Sequence, residues 1–459
     1  MDRSKLERAS RSDLVELILQ MDEAFQSLLE SHHKVLGRVQ ELEEAEKKPK
    51  KTSKNSSSRP SSDRKASRPK VKTLNKKGAK PGHVGKSRTR SEPDVTIECK
   101  LEACTDCGTD LREASHQELG RSQVVEIPPV QPVVVEAIRY GCKCPKCGQE
   151  QEASYPEGLE RERVFGSRIE TTAAYLHEVH HVSYNRLKTL FELLFGLGIS
   201  NGALVNIVQR VAAKLGPEAE KILAEVRASQ IVQSDETGAR VNGKNQWQWV
   251  FIGDSATYHV VADSRSAQVI KDVMGDSVPL VWVSDLFSAQ CVAASRLRQI
   301  CLAHQIRDLQ FAIDAECSVW AYQFQSLLLR AQRLNKRRDE LSLAQFHAST
   351  FQIEQDCNHL LLQPLDGAEE ARLQRRYLKH RQSIFTFLYY SAVPPDNNAS
   401  ERALRNSVIQ RKVSGGFRSD NGAKAHATIA SVVDTAKQNQ QEPFDVISRL
   451  NSNPIPLPA

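Results

Sequence analysis

Between Lys47 and Arg90 the chain carries 17 lysines and arginines against a single acid, Asp63, and almost no large apolar residues. Such a segment cannot bury enough surface to offset the entropy lost on ordering it, so it divides the chain into parts that fold on either side of a basic connector. Its excess of 16 positive charges is larger than the net +7 of the whole 459-residue chain, which leaves the other residues at −9. The positive charge is a tail and not a face. A solvated spacer is its simplest role, and charge this dense also binds a phosphate backbone without sequence preference and in a salt-dependent way.

Upstream of the connector, Leu14, Met21, Leu28, Val35 and Leu42 recur every seven residues, and Ile18, Phe25, His32 and Val39 form a second series offset from the first by four and three. These are the d and a positions of a coiled coil of four heptads, and the strict spacing suits a partner helix better than a globular core. His32 is the polar break that sets register or oligomer state. A single amphipathic helix packed on its own chain is the alternative. No stretch approaches the roughly 18 apolar residues of a membrane span. Met1 runs directly into Asp2 and Arg3 without a signal-peptide apolar region, so the expected location is the cytoplasm.

Six of the ten cysteines fall between Cys99 and Cys147. Cys104-x-x-Cys107 and Cys144-x-x-Cys147 are two knuckles able to supply four thiolates to one tetrahedral zinc, and Cys99 and Cys142 lie close enough to replace a member. A closed four-cysteine site has no open coordination position, so its role is structural. The other four, Cys291, Cys301, Cys317 and Cys357, read as small buried apolar residues. From about Phe165 the pattern turns helical through Leu187, Leu190, Phe191, Leu194 and Phe195, then Leu204 to Val211, with Pro217 expected to open a further helix ending near Ala228. His177, His180 and His181 read as packed or surface histidines.

Strand signals follow: Ile231 to Ser234, the alternating Trp247, Trp249 and Phe251 after an Asn242-Gly243 turn, Tyr258 to Val261, and Leu280 to Val283. Asp235 ends the first and Asp285 the last. Far downstream, Asp396-Asn397-Asn398 offers helix-capping side chains, and Glu401, Leu404, Arg405 and Val408 at helical spacing place Glu401 near that helix's start. A strand-end aspartate or a first-turn glutamate alone is ordinary. Together the three carboxylates are what a two-metal phosphoryl-transfer site needs, because hard cations take carboxylate oxygens and sit about 3.5–4 Å apart across the scissile phosphate. Without metal they repel one another and raise one another's pKa.

Asp235-Glu236-Thr237, Val283-Ser284-Asp285, Cys301-Leu302-Ala303-His304-x-x-Arg307 and, above all, Asp396-Asn397-Asn398-Ala399-Ser400-Glu401-Arg402-Ala403-Leu404-Arg405 followed by Arg411-Lys412 resemble the bacterial insertion-sequence 66 transposases. The resemblance covers nearly the whole chain. It implies a multi-domain α/β protein with an N-terminal coiled-coil helix, a small zinc-binding domain, and a ribonuclease-H-like catalytic core with a helical insertion. The corresponding boundaries are 1–46 for the leucine-zipper-like coiled coil, 47–98 for the basic linker and 99–155 for the zinc-finger-like domain. A helical region at 160–228 leads into the catalytic domain at 229–445, whose insertion covers about 306–390, and 446–459 is a C-terminal tail. This chain departs from many relatives in having Leu286-Phe287 where they have a glycine and a tyrosine.

The resemblance also implies that Asp235, Asp285 and Glu401 are a catalytic triad binding magnesium or manganese, with Cys104, Cys107, Cys144 and Cys147 holding structural zinc. Arg402, Arg405, Arg411 and Lys412 are candidates for DNA phosphates, or equally for surface ion pairs. His304 and Arg307 either line the site or pack in the core. The implied activity is metal-dependent cleavage at transposon ends and strand transfer into target DNA, by a homo-oligomer assembled through the coiled coil, with terminal inverted repeats and target DNA as partners and accessory transposition proteins beside it. A catalytically silent DNA-binding regulator and a ribonuclease-H-like nuclease without strand transfer are the alternatives.

Overall fold

The structure is a computed structural model that describes residues 10, 15, 23, 25–39, 84–85, 88–159 and 164–452. Leu14, Ile18, Met21 and Leu42 of the heptad series, most of the basic segment and residues 453–459 lie outside these. Residues 25–39 are helical, with Phe25, Leu28, Val35 and Val39 exposed. The chain divides into two compact units: the larger takes the described residues of Met1–Arg64, Val135–Lys188 and Ser200–Ala459, the smaller those of Lys65–Val134 and Thr189–Ile199.

In the larger unit a short antiparallel pair, β1 (Gly141–Lys143) and β2 (Glu150–Glu152), precedes three helices, α1 (Ser167–Glu178), α2 (Tyr184–Phe195, whose last turns belong to the smaller unit) and α3 (Asn201–Ala228). Pro217 does not open a new helix; it lies inside α3. Proline removes one backbone donor. The buried stripe of Leu204, Ile207, Val208, Val211, Leu215, Ile222 and Val226 continues on both sides of it, and that packing outweighs the lost bond.

A mixed five-stranded sheet follows, built from β3 (Ile231–Val241), β4 (Lys244–Ile252), β5 (Thr257–Ala262), β6 (Val281–Ser284) and β7 (Leu297–Ile300) in the order β5-β4-β3-β6-β7. β3, β4 and β5 are antiparallel neighbours, and β6 and β7 run parallel to β3. Asn242 and Gly243 both adopt positive φ, 50° and 73°, and make the two-residue hairpin turn between β3 and β4. The strand expected at Ile231 to Ser234 runs on to Val241, and β7 has no counterpart in the sequence reading. Its four residues, Leu-Arg-Gln-Ile, are too short and polar to signal a strand.

Between β5 and β6 lies α4 (Ala267–Met274), and after β6 the single turn α5 (Ser288–Cys291). From β7 the chain enters a helical body of α6 (Leu302–Glu316), α7 (Val319–Lys336), α8 (Leu343–Leu361), α9 (Ala368–Lys379) and α10 (Thr386–Tyr389). Its core of Leu309, Trp320, Phe324, Ile353, Tyr377 and Phe387 is continuous with Val281, Val283 and Ile300 of the parallel strands. Cys301 and Cys357 are buried as expected, whereas Cys291 is half-buried and Cys317 is an exposed left-handed residue ending α6. The chain returns to the sheet through α11 (Asn398–Ser414), α12 (Asp420–Gln438) and α13 (Pro443–Leu450).

Both sheet edges are covered by polar partners. On β5, the N–H of Thr257 donates to Thr435 Oγ1 (2.9 Å) and that of His259 to Ser431 Oγ (2.8 Å), both on α12. On β7, Gln299 Oε1 accepts from the N–H of Phe387 (3.1 Å) and its Nε2 donates to the Ile384 carbonyl (3.0 Å). The Arg298 carbonyl of β7 also accepts from Thr386 Oγ1 (2.5 Å), so polar groups from outside the sheet meet backbone on both edge strands. Among the described residues no helix is long and apolar enough to cross a membrane.

Candidate active site and cysteine knuckles

Alternation along β3 sorts its polar residues onto two faces. Ser234 and Glu236 share a face with Trp282 and Gln290: Gln290 Nε2 donates to Glu236 Oε2 (3.0 Å) and Ser234 Oγ (3.3 Å), and Trp282 Nε1 donates to Gln290 Oε1 (3.2 Å). Asp235 points to the other face, in register with Val250, against which Ala399, Ala403 and Leu404 of α11 pack. The third acid, Glu401, rides on that same helix.

Asp235 is held well above the usual carboxylate range, first by burial and then by the charges of Glu236, Asp285 and Glu401, with only the Glu236 N–H (2.8 Å to Oδ1) opposing. Asp285 follows the last residue of β6 and accepts the N–H of Phe287 on Oδ1 (2.9 Å), which fixes the turn after the strand. Glu401 Oε1 lies 3.6 Å from both His304 Nε2 and Arg307 Nη2, residues of α6 one turn apart. Those distances are too long for hydrogen bonds, so Glu401 Oε1 is buried without a partner, as is His304 Nδ1. Burial and Arg307 hold His304 below its usual value, against the pull of Glu401 and Asp285.

The asparagines before α11 do more than cap it. Asn397 is fully buried, and its side chain makes no capping bond. Nδ2 instead donates to the carbonyl of Ser234 (2.8 Å), its own N–H donates to Cys301 Sγ (3.2 Å), and Oδ1 accepts from Ser400 Oγ (2.9 Å). Pairing of β3 with β6 ends at Gln233, so the Ser234 carbonyl has no strand partner there and the amide supplies one. One residue, through its side chain and its backbone N–H, thereby ties the residue before Asp235, the end of β7 and the residue before Glu401. Capping, the role expected of it, goes to Asp396, whose Oδ1 accepts the N–H of Asn398 (3.1 Å).

Behind Asp235, Glu236 is buried and accepts two bonds from Arg265 on Oε1 (Nε 2.9 Å, Nη2 2.6 Å). That guanidinium lies 3.8 Å from the Phe287 ring centroid and 4.7 Å from that of Trp247. Phe287 is therefore a stacking partner of Arg265 beside the Asp285 turn. Burial raises Glu236, with Arg265 and Gln290 opposing.

The four basic candidates separate. Arg402 and Arg405 are exposed beside Glu401, and Lys412 is exposed near the end of α11. Arg411 donates to the carbonyl of Gly238 on β3.

The cysteine knuckles adopt matching turns, one in each unit. Cys104 N–H donates to the Thr109 carbonyl (2.8 Å) and Gly108 N–H to the Cys104 carbonyl (2.9 Å); Cys144 N–H donates to the Gln149 carbonyl (2.8 Å) and Gly148 N–H to the Cys144 carbonyl (2.9 Å). Gly108 and Gly148, at φ 72° and 73°, occupy the left-handed position that closes each turn. Cys-x-x-Cys-Gly was the readable signal for this. Thr109, whose hydroxyl is 3.1 Å from Cys107 Sγ, brings that thiol down to about 7, and the backbone N–H groups of Cys147 and Lys146 lower Cys144. Thiolate is the metal-binding form.

For the carboxylates the test is donor chemistry: oxygen ligands only, one of them orphaned, and mutual repulsion that a cation relieves. The residues fit a hard divalent ion in kind. Among the described residues, however, no group of three or more His, Cys, Asp or Glu is already arranged to hold a metal.

Residues 162–425, more than half of the chain, match the profile described as Transposase IS66 family, and residues 102–148 match the zinc-finger binding domain of transposase IS66. The chain belongs to the IS66 transposase family. The first match contains all three acids and the second contains both knuckles and Cys142 but not Cys99. Similar proteins include two described as uncharacterised from Sinorhizobium fredii (strain NBRC 101917 / NGR234): y4jD, 23% identical over 78% of this chain and 76% of its own length, and y4hP, 23% identical over 82% and 74%. Membership of this family implies DNA binding and the use of metal.

Proposed function

We propose that the protein is a DNA transposase in which Asp235, Asp285 and Glu401 hold divalent cations, magnesium or manganese, for cleavage at the ends of the element and joining to target DNA. The observation that carries this reading is the convergence of the acids: across β3, the turn after β6 and α11, carboxylates separated by up to 166 positions in sequence come near enough for Asp285 and Glu401 to act on Asp235, within the residues that match the family. The sheet order also supports it, since three antiparallel strands continued by two parallel ones, with an acid on the central strand, is the arrangement expected of a ribonuclease-H-like core.

Cations bound there would neutralise charge on the phosphate and activate the attacking water or 3′-hydroxyl. The chain's own residues do the placing. Asn397 ties α11 to β3, the Arg265–Phe287 stack braces the Asp285 turn, and Arg307 stands 3.6 Å from the buried Oε1 of Glu401 as a counter-charge. Burial and then Arg307 disfavour the charged form of His304, against the pull of Glu401 and Asp285. At the knuckles, each pair of thiolates is offered to zinc.

The test is purified protein with magnesium and DNA carrying the element's ends, wild type against Asp235→Asn. Cleavage and joining should fall by at least about a hundredfold, about 2.7 kcal/mol of barrier, with the melting temperature unchanged or raised because a repelling charge is gone. Equal cleavage by both would overturn the triad. Cleavage without joining would identify a nuclease, and binding alone a regulator.

A further inference from the structure

A cleft of about 990 Å³ begins at Gln233, two residues before Asp235 on the same face of β3, and runs beneath α11 towards α12. We propose that it seats the single-stranded DNA end adjoining the scissile phosphate, with Arg402 and Arg405 holding backbone phosphates and Gln233 reading a base amine. This rests on the transposase reading and adds to it where the strand lies.

Three observations carry the assignment. First, the cations on the cleft are available. Arg402 and Arg405 are exposed, three residues apart on one side of α11, and no carboxylate among the described residues pairs with either. Of the two acids on the wall, Asp434 is paired with Lys437 Nζ (3.3 Å) and bonded to His259 Nε2 (2.9 Å), while Asp254 accepts only the neutral Gln230 N–H (3.0 Å) and keeps its charge, so the two arginines outweigh it by one. The balance left for a ligand is positive, which suits a phosphodiester.

Second, the wall holds an unsatisfied acceptor. Gln233 Oε1 is buried without a hydrogen-bond partner, and such an atom is unfavourable until a donor reaches it. Exocyclic amines of adenine, cytosine and guanine are such donors; thymine has none. Third, size and lining favour a strand over a duplex. The volume sits at the upper end of the roughly 300–1,000 Å³ in which proteins enclose small ligands. Ile252 and Ile409 add apolar surface for an unstacked base. The spacing agrees as well: Gln233 to Asp235 is about 7 Å along a strand, which puts the cleft one short step from the acids.

The experiment uses the full-length Asp235→Asn protein, so that DNA stays intact, and follows anisotropy of a dye-labelled 12-nucleotide single strand of mixed sequence between 50 and 200 mM salt. Arg402→Ala with Arg405→Ala should lower the slope of log affinity against log salt by about 1.4, two contacts at about 0.7 each for single strands. The same pair replaced by lysine should restore it, and Lys271→Ala, an exposed position of α4, should leave it alone. Gln233→Leu should remove any preference for oligo-dA or oligo-dC over oligo-dT. An unchanged slope in the alanine pair, failure of lysine to restore a lost one, or an equal loss measured with the corresponding duplex would each overturn the assignment. Because binding is read without catalysis, the result is separate from whether wild type cleaves.

Discussion

The carboxylate site and the cysteine knuckles are the two sets of side chains proposed to hold metal, yet they get their geometry from opposite sources. Asp235, Asp285 and Glu401 come from distant parts of the chain and are held by a buried lattice: Asn397 on Ser234, Gln290 and Arg265 on Glu236, and α12 and the helical body meeting the sheet edges. The knuckles are exposed, β1 and β2 are exposed at every residue, and each turn is closed by its own backbone bonds. Tertiary packing builds the first. Local turn chemistry builds the second and leaves its stability to the metal.

That contrast makes the knuckles the place of greatest expected change. Stripping zinc with a chelator should remove a binding contribution of about 10 kcal/mol or more. Amide protection should then vanish around residues 102–152 while β3 and β6 keep theirs, as read by hydrogen exchange. A core that opened in step would show that the two regions share one folding unit and would break the comparison.

Asn397→Asp should have a smaller effect and sharpen the other half. The substitution keeps size but sets an oxygen against the Ser234 carbonyl, so a loss of about 1–3 kcal/mol in unfolding free energy is expected, with cation affinity reduced about 10–100-fold by calorimetry. Unaltered cation binding would mean that α11 is placed by its apolar contacts alone.

The smallest effect concerns acid. Glu178 is buried and bonded to His426 Nδ1 (2.5 Å); burial alone would raise it, but His426, then His177 and His181, bring it below the usual range. A lowered folded value contributes stability at pH above its unfolded value of about 4.3, and that stability is lost as pH falls through the folded value. Melting temperature should therefore drop below about pH 4, and Glu178→Gln should flatten that part of the profile. A profile unaffected by the substitution would remove Glu178 from the account.

Much of the site was legible because its residues sit in local patterns. Asp235 follows an apolar run, although the strand continues past it to Val241; Asn242-Gly243 forms the hairpin turn expected of it, and Glu401 lies in the first turn of a helix. Other features had no local signature. β7 is four residues with no alternation, and Pro217 reads as a boundary until the buried stripe on both sides of it is seen. Asn397 looked like a cap and is a clamp, because the atom it satisfies is a carbonyl 163 positions away. Arg411 looked like a phosphate ligand, and at least one of its donors goes to Gly238. For the stack of Arg265 on Phe287 the sequence carried no local signal, since the two lie 22 positions apart.

What the sequence determined by itself was the kind of groups available and the elements that carry them: three acids on two strands and a helix, two Cys-x-x-Cys-Gly turns, and a basic segment unable to fold. Periodicity, turn residues and charge act over a few positions, so they can be read directly. Only the tertiary structure decided which of those groups meet, which oxygen is left without a partner, and which arginines remain free beside the cleft. Those outcomes depend on where unpaired backbone groups fall once the strands are in register, and register is a property of the folded chain.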